Sequence, residues 1–164
     1  KVMVWGRNTE KSEEYSSYMM NLGFKVRICD SPKHVTDTCN LIITTTAATE
    51  PILFADDIQP GTHITAMGSD TPAKQELDPN IMEKADCVVA DSISQCIERG
   101  EISHALKDGK LTKNNIVELG HVLNGQHPGR TAQDQITVAD LTGVAVQDIQ
   151  IATAVYESFM ENES

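Results

Sequence analysis

Four short groups of small and polar residues each follow directly on an apolar run: Gly6-Arg7-Asn8-Thr9, Thr44-Thr45-Thr46, Gly68-Ser69-Asp70 and Asp140-Leu141-Thr142-Gly143. Their chemistries are complementary. Asp70 offers a carboxylate able to take and return a proton, on a Gly-Ser turn that lets it face a reacting centre. The threonines offer hydroxyls, Arg7 a planar fork suited to phosphate, and Gly68 and Gly143 a close backbone approach. A helix starting near Gly143 would aim its N–H groups at an anion or a carbonyl. Each group also has an ordinary structural explanation. Asp70 suits a turn cap, the threonines suit a strand, Asn8 suits a helix cap, and Leu141-Thr142-Gly143 suits a strand-to-helix turn. Lys74 and Glu76 read as solvated charges at a helix start or as an ion pair.

The elements that position these groups alternate between short β-branched runs and amphipathic stretches. Strands are expected at Val2-Trp5, Lys25-Cys29, Leu41-Thr45, His63-Met67, Cys87-Ala90 and Ile136-Ala139. Six such strands separated by helices define an α/β fold around a parallel sheet. In such sheets ligands bind at the carboxyl ends of the strands, and that common edge carries all four groups. The first helix is expected from an Asn8 cap to Gly23, with Tyr15, Tyr18, Met19 and Leu22 on its inner face. Asp91 and Ser92 start a second helix facing inward through Ile93, Cys96 and Ile97, and Ile102, Ala105 and Leu106 continue its apolar stripe past Gly100. Ile116, Leu119, Val122 and Leu123 mark a third, and the last runs from about Gly143 to Phe159.

Composition removes several classes of function. With 164 residues and a net charge of −11, the chain lacks the basic face that displaces counterions from nucleic acid, so no nucleic-acid partner is expected. The longest apolar runs fall far short of the roughly 20 residues that cross a bilayer, and no signal peptide is visible, so no membrane association and a cytoplasmic location are expected. Cys29, Cys39, Cys87 and Cys96 form no C-x-x-C pair, and the five histidines show no ligand spacing. Reduced, mostly buried thiols and no metal site are therefore expected.

The run Ile64-Thr65-Ala66-Met67-Gly68-Ser69-Asp70-Thr71-Pro72-Ala73-Lys74-Gln75-Glu76-Leu77-Asp78-Pro79 resembles the signature segment of the ornithine cyclodeaminase/μ-crystallin family. Order and spacing agree further at Glu50-Pro51-Ile52-Leu53, Arg99-Gly100-Glu101-Ile102, Pro128-Gly129-Arg130 and Thr142-Gly143-Val144-Ala145, so the resemblance covers essentially the whole chain. The Met67-Gly68-Ser69-Asp70 form is most similar to cyclodeaminase-like members, including those associated with ectoine utilisation. The resemblance implies a homodimeric enzyme with a Rossmann-type domain that binds NAD or NADP and acts on the α C–N bond of a small amino or imino acid. In the cyclodeaminase pattern a diamino acid such as ornithine becomes a cyclic imino acid, with loss of ammonia. An NAD(P)-dependent amino-acid dehydrogenase or imino-acid reductase, of alanine dehydrogenase type, and a non-enzymatic NAD(P)-binding protein like μ-crystallin are the alternatives.

The resemblance also assigns places to the residues. Asp70 becomes the acid/base. Thr44, Thr45 and Thr46 line the dinucleotide together with Met67, Gly68 and Ser69, and Leu141, Thr142 and Gly143 form the nicotinamide-side loop. Lys74 is a neighbour of substrate or cofactor. Arg7, Asn8 and Thr9 fall where a Rossmann domain meets the adenosine ribose, and an arginine instead of an acid there tilts the choice toward NADP. The family's glycine-rich fingerprint, G-x-G-x-x-G after the first strand, has no counterpart here. Residues 1–164 are therefore expected to be part of a dinucleotide-binding domain, beginning past its first strand and phosphate loop. Most of the dimer interface and the basic residues for a substrate carboxylate would then lie outside this chain.

Overall fold

A computed structural model describes residues 1–162. The expected strands appear as β1 (Val2–Val4), β2 (Val26–Ile28), β3 (Leu41–Thr44), β5 (His63–Ala66), β7 (Cys87–Ala90) and β9 (Thr137–Asp140). Three more were not anticipated: β4 (Thr49–Leu53), β6 (Gln75–Leu77) and β8 (Ile116–Glu118). All pairings are parallel. A five-stranded sheet runs β3-β5-β9-β7-β8, β1 pairs with β2, and β4 pairs with β6. The fold is thus the α/β arrangement that the sequence implies, with a mostly parallel sheet and flanking helices.

Two expectations about elements need correction. Ile116 does not open a helix: β8 extends the sheet beside β7, and the helix is only α6 (Leu119–Leu123). Two β-branched residues in a three-residue strand are too few to separate from a helical stripe. Likewise Glu76 is not a solvated charge at a helix start but the central, fully buried residue of β6.

Helix α1 (Thr9–Asn21) is capped by Asn8 as its sequence suggests, yet it buries Ser12 and Ser16 and leaves Tyr15, Tyr18 and Leu22 exposed. The reason is close approach: a Cβ on Gly6 would stand 3.0 Å from the Ser12 hydroxyl, so only small residues fit that face. Short helices α2 (Pro32–Thr36) and α3 (Asn80–Lys84) follow β2 and β6, and between α4 (Ile93–Cys96) and α5 (Glu101–Lys107) the chain breaks at Gly100, with φ +83. The last helix, α7 (Ala145–Asn162), starts two residues beyond Gly143 and exposes Val146, Ile149, Val155 and Phe159.

The core gathers where the middle strands meet the short helices: Ile64, Val88, Val138, Ile81, Leu77, Ile102 and Ala105 are buried together. Each larger aliphatic side chain there contributes about 1.5–3 kcal/mol by leaving water. That fixes the central strands and hence the line of their carboxyl ends. All four cysteines are free thiols, three of them buried.

Candidate functional site

In the main sheet Thr44 is in register with Ala66, and Ala66 with Asp140. Segments 44–46, 67–70 and 141–143 therefore leave three neighbouring strands side by side. Across from the β3 edge stands β1, and between the two lies a cleft of about 820 Å³. Val2, Val4, Trp5 and Tyr15 line one wall, and Leu41, Ile43, Thr44, Thr45 and Thr46 line the other. Segment 7–9 follows β1 on the same side, although neither it, Asp70, nor segment 141–143 contributes to the cleft's lining.

The individual side chains divide into those turned inward and those left open. Thr44 is buried and its hydroxyl, like that of Thr62, has no hydrogen-bond partner among the described residues, while Thr45 is exposed. The Thr46 hydroxyl accepts the Ala48 N–H at 3.2 Å. Arg7 is exposed, but the Asn8 side-chain oxygen takes the Lys11 N–H at 3.0 Å and closes the start of α1 at Thr9. Met67 is exposed at the end of β5. Ser69 is buried, donating its hydroxyl to the Lys74 carbonyl at 2.6 Å. Asp70 is open to solvent, and its Oδ1 is 2.7 Å from the Lys74 Nζ. This ion pair holds the Asp70 carboxyl below the usual carboxylate range, so the group stands as an anion.

The loop after β9 differs from expectation. The Gly143 N–H donates to Asp91 Oδ2 at 2.8 Å, and the Thr142 hydroxyl is buried between Gln95 Nε2, at 2.7 Å, and Asp91. Gln95 also donates to the Gly143 carbonyl. Helix α7 starts near Gly143 as expected, at Ala145, but the Gly143 N–H itself is engaged by Asp91. Asp91 and Gln95 fix this loop; the sequence marked Asp91 only as a helix start and did not single out Gln95.

The burial of three acids was not legible either. Glu76, Glu101 and Asp140 are all within the core. Burial pushes Glu101 up to about 8 and Asp140 up to about 7, against the backbone N–H donors that favour their anions. The only available signal was placement: Glu76 beside Leu77 in a β-forming run, and Glu101 directly after a glycine. A helix-start glutamate on the surface looks the same in sequence. Among the described residues no group of three His, Cys, Asp or Glu side chains is placed to hold a metal ion, and no helix is long and apolar enough to cross a membrane.

The model of the ornithine cyclodeaminase/mu-crystallin family matches residues 1–163, and the chain belongs to that family. An uncharacterized cyclodeaminase of Sinorhizobium fredii is 38% identical over 163 residues, covering 98% of this chain and 49% of the relative. An archaeal alanine dehydrogenase, solved as a dimer with bound NAD, superposes with a TM-score of 0.92 at 31% identity, over 99% of this chain and 50% of that one. The iminosuccinate reductase of Paracoccus denitrificans, solved in complex with NAD+, gives 0.91 at 31% identity with the same coverage. The chain spans about half the length of the curated relatives it matches.

Proposed function

We propose that this chain forms the dinucleotide-binding part of an NAD(P)-dependent cyclodeaminase-like enzyme, which converts a diamino acid to a cyclic imino acid with loss of ammonia, ornithine to proline being the pattern. The observation that carries this reading is the convergence of segments 44–46, 67–70 and 141–143 on one sheet edge, with the anionic Asp70 among them. The cleft suits a dinucleotide at one telling point: the buried Thr44 hydroxyl lacks a partner, and an orphaned buried hydroxyl is costly unless something else completes it. Thr44, Thr45, Thr46, Met67, Gly68, Ser69 and Leu141 would hold the cofactor, Thr142 and Gly143 would shape its loop, and Arg7, Asn8 and Thr9 would meet the ribose end. When bound, the dinucleotide supplies reversible hydride exchange at the substrate's α-carbon. Asp70 accepts the proton that an amine substrate must lose and returns it to the departing ammonia. Lys74 favours the anionic state of Asp70 before and after that exchange. We read the protein as a cytoplasmic homodimer.

A dehydrogenase or reductase is the second reading, favoured by the likeness to alanine dehydrogenase and iminosuccinate reductase. The two differ in net redox change. Incubating the complete protein with ornithine and a trace of NAD(P) is expected to release ammonia and proline in step, without accumulation of reduced cofactor. Stoichiometric reduction of cofactor by an amino acid would favour the second reading instead, and dinucleotide binding without turnover of any amino or imino acid would sink both.

A further inference from the structure

Glu76, Glu101 and Asp140 are fully buried, and among the described residues no cation pairs with them. Backbone N–H groups satisfy them instead, in a linked order. Asp140 Oδ2 accepts from Ile102 at 2.8 Å, at the start of the helix that carries Glu101. Glu101 accepts from Glu76 itself at 2.7 Å and from Leu77 at 3.0 Å. Glu76 then accepts from Gly68 at 2.9 Å through one oxygen and from Thr46 through the other. Both ends of this chain of acids lie at the candidate site: Asp140 directly precedes Leu141, and Glu76 joins the loops that leave β3 and β5.

We infer that Glu76 is a positioning residue: by bridging the N–H groups of Thr46 and Gly68 it sets the distance between the threonine loop and the loop that carries Asp70, with Glu101 and Asp140 holding it from behind. This rests on the reading of Asp70 as the acid/base. The chemistry requires a carboxylate. Two backbone donors converge on it, and a glutamine would present an NH₂ to one of them. Gly68 completes the fit, since a Cβ there would run into the Glu76 carboxylate and the Thr46 carbonyl. Asp70 lies two residues on, its own N–H donating to the Gly68 carbonyl at 3.2 Å, so a shift of Gly68 moves Asp70 with it.

The test uses the complete protein with E76Q, D70N and the double variant. Amide exchange is expected to quicken at least about tenfold at Thr46 and Gly68 in E76Q, with the amides of Ile64 and Val138 unchanged. Turnover of ornithine is expected to fall about 10²-fold in kcat, with little change in KM. In the D70N background E76Q should cost nothing further, because its effect passes through Asp70. An equal loss in both backgrounds, an unchanged kcat, or exchange that quickens throughout β5 and β9 would each overturn the inference. If E76Q fails to fold, E101Q, which loosens Glu76 from behind, replaces it with the same pattern expected at smaller amplitude. If the wild type turns over nothing, the proposed reaction falls, and amide exchange alone decides whether Glu76 spaces the two loops.

Discussion

At the scale of single residues, Asp70 and Lys74 show how a spacing of four becomes a working pair. Lys74 has its backbone carbonyl tied to Ser69 and to His104 Nε2, at 2.8 Å, so its side chain reaches Asp70 from a fixed origin. Replacing Asp70 by asparagine is expected to lower turnover by about 10²–10⁴-fold while leaving dinucleotide affinity near wild type, which isothermal titration checks. Lys74→Met removes the cation that lowers the Asp70 pKa. The acidic limb of the rate profile, where activity is lost as Asp70 becomes protonated, should then move to higher pH; an unmoved limb would separate Lys74 from the chemistry. Arg7 predicts tighter binding of NADP than of NAD, and Arg7→Asp should reverse the order; comparing the two dissociation constants decides it. Asp70 and Lys74 were each singled out in the sequence, but the ion pair between them was not, because Lys74 reads equally well as a solvated charge or as a partner of Glu76. The setting of Glu76 was not legible either, since its partners Thr46 and Gly68 come from distant parts of the sequence and a backbone N–H leaves no mark on residue type.

At the scale of elements, six strands were legible: β1, β3 and β7 through three consecutive apolar residues, and β2, β5 and β9 through β-branched residues at alternate or neighbouring positions. What failed were β4, β6 and β8, each of which carries an acid within it, Glu50, Glu76 and Glu118. Their strand character comes from parallel neighbours and not from their own pattern. The inner face of α1 failed for a related reason: its tyrosines look like core residues, but the small serines are what fit against the loop at Gly6. Gly68 offers a direct check of how tightly these pieces interlock. Gly68→Ala places a Cβ against Glu76 and Thr46, and is expected to destabilise the fold by about 1–3 kcal/mol, read as a lower midpoint in chemical denaturation. Gly109, which has open space around it, serves as the control position in the same assay, although its φ of +69 adds some strain of its own.

At the scale of the whole molecule, the buried acids act on stability as well as on geometry. Glu101 rises from an ordinary 4.5 to about 8 and Asp140 from 3.8 to about 7, both chiefly through burial. Between the ordinary and raised values the folded chain holds a proton that the unfolded chain has lost, so stability is full in mild acid and falls as pH rises through that window. The net charge of −11 pushes the same way. The thermal midpoint should therefore decline as pH goes from about 5 to about 9, and E101Q should flatten that decline; a rising midpoint would contradict the assignment. The topology bears on how such a chain is made. β9, the last of the described strands, sits in the middle of the five-stranded sheet, between β5 and β7. From Glu118, the end of β8, to Asp140 is 140 − 118 = 22 residues, about 1–4 s of synthesis at ~5–20 residues per second. During that interval β3-β5 and β7-β8 are two half-sheets with open parallel edges facing each other, each a template for a foreign strand. A ribosome that stalls between those points leaves a nascent chain prone to aggregate, and the arrival of β9 closes the gap.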